Sequence, residues 1–142
     1  MDARAAAFFD FCKEAELDPG FYMIPDHLET RTAGRQAGLV IGALPPSERP
    51  EVLICHNDVL ACGIYHGLKR SGLRIPEDIA ITGFDGTEEG QCLDRPLTTV
   101  LTPADELCQN ACEILLKRMG GDRSDHPLKV KVTPRMLVGE TT

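Results

Sequence analysis

The stretch Glu51–Gly86, EVLICHNDVLACGIYHGLKRSGLRIPEDIAITGFDG, constrains the fold more than any other part of the chain. Val52, Leu53, Ile54 and Cys55 form a short apolar run of the kind shown by a strand buried on both faces, and Ile79–Thr82 forms a second. Between them Leu60, Ile64 and Leu68 recur every four positions, Ser71-Gly72 stops the helix they imply, and Pro76 sits in the return loop. A strand, a helix and a strand of these lengths form a right-handed crossover, so the two strands run parallel and end at the same sheet edge. Asn57 and Asp58 follow the first strand and Asp85 ends the second, at the edge where open α/β sheets bind ligands.

The flanking segments extend the pattern. Asp2–Leu17 reads as a helix with Phe8, Phe11, Cys12 and Ala15 on its apolar side, and Asp18-Pro19-Gly20 ends it. Phe21–Ile24 reads as a strand, followed by a helix capped by Thr30 or Thr32 that carries Ala33, Ala37, Val40, Ile41 and Leu44 inward. Glu88–Asp94 is a short polar segment and Thr98–Leu101 a strand. Pro103 opens a helix through Met119, with Asp105 and Glu106 in its first turn and Leu107, Cys108, Ala111, Ile114, Leu115 and Met119 on one stripe. Leu128–Thr133 alternates apolar residues with Lys129 and Lys131 and predicts an edge strand wet on one face, with Met136–Val138 as a candidate last strand. The fold class is α/β, a parallel sheet with helices on both faces, in a single domain of 142 residues.

Charge excludes one class of function. The chain carries a net charge of −7, with no basic cluster denser than Lys129–Lys131 or Lys69-Arg70, which is too little to grip nucleic acid through phosphates. No apolar run approaches membrane-spanning length, and Asp2, Arg4 and Asp10 interrupt the first segment, so a cytoplasmic location without a signal peptide is expected. Of the six cysteines, Cys55, Cys62, Cys108 and Cys112 fall in apolar runs or on apolar helix faces and read as reduced core thiols.

The sharpest site candidates are Asn57, Asp58 and Asp85, whose short amide and acid groups can bond ligand hydroxyls. Spacing alone favours a helix N-cap for Asn57 or Asp58 and a tight turn for Phe84-Asp85-Gly86, with room for one of the adjacent pair to cap while the other faces a ligand. Cys55-His56-Asn57 has the residue types of a thiol-protease triad, but neighbours in an extended segment point to opposite sides. Cys108, Cys112 and His126 could supply three metal ligands, yet no second Cys/His pair at finger spacing exists, so no metal is assigned. Glu88-Glu89 and Asp122/Asp125 are explained by solvated turns. With no Walker loop, dinucleotide fingerprint or nucleophile elbow, neither a cofactor nor an enzyme is expected.

From Cys55 through Gly63 the sequence resembles the lactose/galactose repressor (LacI/GalR) family of bacterial transcription regulators. The likeness continues through Gly72–Ile79, Gly83-Phe84-Asp85 and Pro96–Val100. Four ordered motifs at family spacing, with weaker likeness on the flanks, match the whole chain to the C-terminal half of that family's effector-binding region. The resemblance implies an incomplete periplasmic-binding-protein-like fold, whose two lobes close on a small effector such as a sugar or related metabolite. It implies effector contacts at Asn57, Asp85 and Arg4, and makes Asp58 the structural half of the Asn-Asp pair. It also implies a homodimer interface on the Val59–Arg70 helix and Glu88–Leu93. Gly86, where the family commonly has a second acid, is reminiscent of periplasmic sugar-binding relatives, and a fragment of a sugar-binding transport receptor is the alternative reading.

By the same resemblance the helix-turn-helix domain, the hinge and most of the first lobe would precede Met1, so operator DNA would be a partner only through that domain. The helix Ala104–Met119 packs on the first lobe in the family. Without it, each large apolar side chain left wet forgoes about 1.5–3 kcal/mol. The stripe is therefore expected to repack on its own lobe, to pair with a second copy or to be poorly ordered.

Overall fold

The structure is a computed structural model and describes residues 3–21, 30–121 and 129–142. Its elements in chain order are α1 (Ala3–Glu14), α2 (Thr30–Gly42), a single 3-10 turn (Pro46–Glu48), β1 (Val52–Ile54), α3 (Asp58–Arg70), β2 (Ala80–Asp85), α4 (Glu88–Gln91), β3 (Thr98–Leu101), α5 (Ala104–Met119) and β4 (Arg135–Leu137). Among the described residues these strands form one sheet in the order β1-β2-β3-β4. The first three strands are parallel, with Ile54 beside Thr82 and Asp85 beside Leu101, and β4 runs antiparallel to β3. The mostly parallel α/β architecture read from the sequence is thus present, and the crossover Glu51–Gly86 is its centre. The expected strand at 21–24 falls mostly outside the described residues.

The core lies between α3 and the sheet. Ala61, Tyr65 and Leu68 of α3 meet Ile79, Ile81 and Leu97, and all six are essentially inaccessible. On its other side α3 is gripped by α2 through glycines. Gly34, Gly38 and Gly42 on α2 and Gly63 and Gly67 on α3 recur every four residues, so each set lines one helix face. A Cβ on Gly34 would stand 2.5 Å from the Leu60 carbonyl oxygen, and one on Gly67 would stand 2.9 Å from the Gly38 Cα. Only backbone-to-backbone packing fits that spacing.

The C-terminal residues close the bottom of the sheet. The Thr141 hydroxyl accepts from the Thr98 backbone N–H at 2.9 Å and donates to the Ile81 carbonyl at 2.7 Å. Its own carbonyl accepts from the Ile81 N–H at 2.9 Å. One buried threonine therefore bridges β2 and β3 just below the point where they begin to pair.

Several expectations are corrected. The last strand is Arg135–Leu137, while the described residues from Lys129 to Pro134 are not in a strand. The available edge of β3 is only four residues long, and residues 135–137 occupy it; Pro134, just before them, has no N–H to give to a ladder. β1 is not buried on both faces, because Val52 and Ile54 stay exposed while Leu53 and Cys55 turn toward α3. Phe11 on α1 and Val40 on α2 are also exposed.

The largest departure is α5. It forms over sixteen residues, none of them buried, with Leu115 59% and Met119 75% exposed. Repacking of this stripe on its own lobe, one of the outcomes expected, does not occur. The space between α3 and the sheet is already filled by Ile79, Ile81 and Leu97. Cys108 and Cys112 are consequently exposed rather than core thiols, whereas Cys55 and Cys62 are buried as expected and all six cysteines are free. Among the described residues no helix is long and apolar enough to cross a membrane.

Candidate functional site

The chain leaves β1 through Cys55, His56 and Asn57 and turns directly into α3. Asn57 is extended, at φ −152° and ψ 169°, and its Oδ1 accepts from the Leu60 backbone N–H at 2.8 Å. It is the N-cap, which satisfies one of the helix's orphan donors. The cap uses only the amide oxygen, which leaves the NH2 of the half-buried Asn57 outside the cap bond.

Asp58 turns the other way. It is completely buried, its Oδ1 taking the Thr99 hydroxyl at 2.6 Å and its Oδ2 the Thr87 backbone N–H at 2.7 Å. It ties the start of α3 to β3 and to the turn after β2, the structural role that the resemblance assigns to it.

Asp85 ends β2 on the exposed edge with a backbone φ of +116°, and Gly86 follows at φ +76°. A side-chain-bearing residue in that region costs on the order of 1–3 kcal/mol and persists only where its surroundings enforce it. Here the enforcement comes from both sides: the Asp58–Thr87 bond holds the turn, and Asp85 O accepts from the Thr102 N–H at 3.3 Å.

Arg4 reaches this edge from α1. Its Nη1 donates to the His56 carbonyl at 2.9 Å, its Nη2 lies 2.7 Å from His56 Nε2, and its guanidinium sits 4.7 Å above the Phe84 ring. The paired register ends at Ile54 with Thr82, and Arg4 touches both His56, two residues past β1, and Phe84, the residue before Asp85. Arg4 therefore bridges the pair immediately before the two candidate ligand residues, and the three residues expected at the site share one sheet edge.

Sequence reading missed His56 as the partner of Arg4, and it missed Thr102. The Thr102 hydroxyl is buried with no hydrogen-bond partner among the described residues, one residue past β3 and against the Asp85 backbone. Its only signal in the sequence was its place after a strand ending at the same edge.

Nucleophilic chemistry at Cys55 is not supported. Burial above all, with Cys62 and Asp58 adding to it, pushes the Cys55 thiol up to about 12, and burial likewise pushes Cys62 up to about 11. Neither is a thiolate near neutral pH. Of the metal alternative, Cys108 and Cys112 lie exposed on α5 and His126 falls outside the described residues; no cluster of three potential ligands occurs among those described. Among the described residues, one shallow hollow of about 450 Å³ lies elsewhere, lined by Arg31, Arg35, His66 and Arg70 of α2 and α3. Asn57, Asp85 and Arg4 thus form an open wall: an amide, a carboxylate and a guanidinium able to donate to and accept from the hydroxyls of a polar ligand.

Comparison with known proteins places the chain in a family. Residues 1–142 match the periplasmic binding protein-like domain. The HTH-type transcriptional repressor CytR of Escherichia coli strain K12 is 40% identical over 105 residues, covering 74% of this chain and 30% of that protein. The HTH-type transcriptional repressor PurR of Vibrio vulnificus is 37% identical over 94 residues, covering 66% of this chain and 28% of that protein. A crystallised LacI family transcriptional regulator from Arthrobacter sp. FB24 superposes with a TM-score of 0.81 at 26% identity, over 100% of this chain and 52% of that one. The chain spans under a third of the repressors and about half of the crystallised regulator. It belongs to the periplasmic binding protein-like domain family, in the form carried by the effector-binding region of LacI/GalR-type regulators.

Proposed function

We propose that this chain is the ligand-sensing portion of a LacI/GalR-type transcriptional repressor and not an enzyme. It would correspond to the C-terminal part of the effector-binding domain, act in the cytoplasm, and bind a sugar or related small metabolite in a cleft between two lobes. The observation that carries this reading is the convergence of Arg4, Asn57 and Asp85 on one sheet edge, with Asp85 held at a strained φ of +116°. Asp85 accepts ligand hydroxyls, Asn57 donates through its free NH2, and Arg4 donates to a ligand oxygen, each charge-assisted bond contributing about 1.5–3 kcal/mol. The buried Thr102 hydroxyl is a fourth group available there.

In the intact regulator the ligand would favour one arrangement of a dimer and so change operator affinity, with DNA read by a helix-turn-helix domain outside this chain. The dimer surface would combine the outer rim of α3, where His66, Lys69 and Arg70 are exposed, with Glu88–Leu93. Gly86 after Asp85 favours the second reading, part of a sugar-binding transport receptor. Titration calorimetry of a two-lobed protein carrying this chain, against a panel of sugars and nucleosides, tests the site. Asp85→Ala is expected to abolish the heat shown by the wild type; undiminished affinity would remove Asp85 from the site. A helix-turn-helix coding frame upstream supports the regulator, whereas an export signal there supports the receptor.

A further inference from the structure

We infer that the hollow between α2 and α3 is a binding site for a phosphoryl dianion, held by the guanidiniums of Arg35 and Arg70. The inference goes beyond the sensing reading and does not depend on it, because neither residue belongs to the edge of Arg4, Asn57 and Asp85. The hollow follows from the glycine seam. A Cβ on Gly63 would stand 2.4 Å from the Arg31 carbonyl oxygen, and one on Gly67 would stand 2.4 Å from the Arg35 carbonyl oxygen. With the two backbones in contact, Arg31 and Arg35, four apart on α2, and His66 and Arg70, four apart on α3, line one hollow of about 450 Å³ that also reaches Gly63.

The charge of this hollow is opposite to that of the chain. The whole sequence carries −7, yet three arginines meet here. Arg31 Nη2 is held by Glu89 Oε2 at 2.6 Å, whereas no carboxylate among the described residues pairs with Arg35 or Arg70, both of which are exposed. The helix dipole favours Arg70 in the last turn of α3. Arg31 and Arg35 stand in the first half of α2, toward the end that attracts acids, and the first turn of that helix has none. Two guanidinium forks from adjoining helices suit a tetrahedral anion. A carboxylate offers two oxygens, enough for one fork, while a phosphoryl group offers three and carries a charge of about −1.5 to −2 at neutral pH, which matches the two cations left without a carboxylate.

Titration calorimetry of the full chain at low ionic strength, with inorganic phosphate as the probe, tests the site. One phosphate is expected to bind per chain, and chloride at matched ionic strength is expected not to displace it. Arg35→Gln and Arg70→Gln, at exposed positions that leave the core intact, are each expected to weaken binding about tenfold or more. Arg35→Lys, which keeps the charge and loses the fork, is expected to recover part of that loss. Lys117→Gln on α5 removes one positive charge far along the chain and is expected to leave the affinity unchanged. Glucose 6-phosphate separates two sources of the same group: with the same dependence on Arg35 and Arg70, tighter binding than inorganic phosphate supports a phosphorylated metabolite, and equal binding supports free phosphate. No phosphate binding, or a double variant Arg35→Gln, Arg70→Gln that binds as the wild type does, overturns the inference. So does a double variant that turns a dimer into a monomer in sedimentation while phosphate binds neither protein, since the arginines would then serve a second copy of the chain.

Discussion

Asp58 Oδ1 accepts the Thr99 hydroxyl at 2.6 Å with both side chains fully buried. The bond spans forty-one residues of sequence, joining the first turn of α3 to the middle of β3. Since Asp58 Oδ2 also holds the Thr87 N–H, the carboxylate fixes the turn that follows Asp85. The exposed sheet edge that carries Asp85 is shaped by a buried acid one residue away from Asn57.

Replacing that acid is expected to destabilise the chain strongly. Asp58→Ala removes two hydrogen bonds to a charged group and leaves the Thr99 hydroxyl and Thr87 N–H without it, a loss of about 3–5 kcal/mol. Urea unfolding followed by circular dichroism reads this directly. A loss below about 1 kcal/mol would mean that water replaces the carboxylate at no cost.

Asp85 should behave in the opposite sense. Asp85→Gly relieves a positive φ and is expected to raise stability by about 1 kcal/mol, whereas Asp85→Ala retains the strain. Both variants lose the carboxylate and hence the proposed ligand contact. The comparison separates backbone from side chain: equal unfolding midpoints for the two variants would show that the turn stores no strain.

What the sequence made legible follows from periodicity. The crossover Glu51–Gly86, the Asn57 cap and the structural role of Asp58 could all be read because apolar spacing and family motifs are local signals. Burial could not be read in the same way. Leu107, Leu115 and Met119 form a proper helical stripe, yet a stripe says only which side is apolar, not what covers it. The Arg4–His56 contact spans fifty-two residues and leaves no local trace. Alternation alone predicted an edge strand over Leu128–Thr133, whose described residues form none, while the candidate strand at Met136–Val138 overlaps the observed Arg135–Leu137, which holds the short edge of β3. The four-residue glycine spacing of α2 and α3 is a local signal of the same kind, and it sets how closely those helices pack.

Thr141→Val keeps the shape of the side chain and deletes the hydroxyl that bridges β2 and β3. The Thr98 N–H and the Ile81 carbonyl then lose a buried partner, with an expected cost of about 2–4 kcal/mol. Amide hydrogen exchange localises the effect: Thr98 is expected to lose protection before Ile64 in the middle of α3. Uniform loss across both would argue that the bridge is merely part of the global core.

Thiol reactivity tests the exposure of α5. With a disulfide reagent near neutral pH, Cys92, Cys108 and Cys112 are expected to react quickly, and buried Cys12, Cys55 and Cys62 only on unfolding. Slow reaction confined to Cys108 and Cys112, growing slower with protein concentration, would show that a second copy covers the α5 stripe in solution.

The last prediction concerns pH. The Tyr65 hydroxyl donates to Asp94 Oδ1, and Lys69 lies 3.3 Å from Asp94 Oδ2. The tyrosine bond first, and Lys69 with it, hold the Asp94 carboxyl below its ordinary value; burial first, then Asp94, pushes the Tyr65 hydroxyl up. A depressed carboxyl contributes stability above its unfolded pKa of about 4 and loses it as the pH falls through the folded value. A raised phenol contributes stability below its unfolded pKa of about 10 and loses it as the pH rises toward the folded value. The pair is thus fully effective between those limits. Because the Asp94 side chain is 63% exposed, solvent screening keeps the contribution near 1 kcal/mol. Tyr65→Phe is expected to lower stability by about that amount at neutral pH and to flatten both limbs of the stability–pH curve. A Tyr65→Phe curve parallel to the wild type from acid to alkali would show that the hydrogen bond does not couple the two groups.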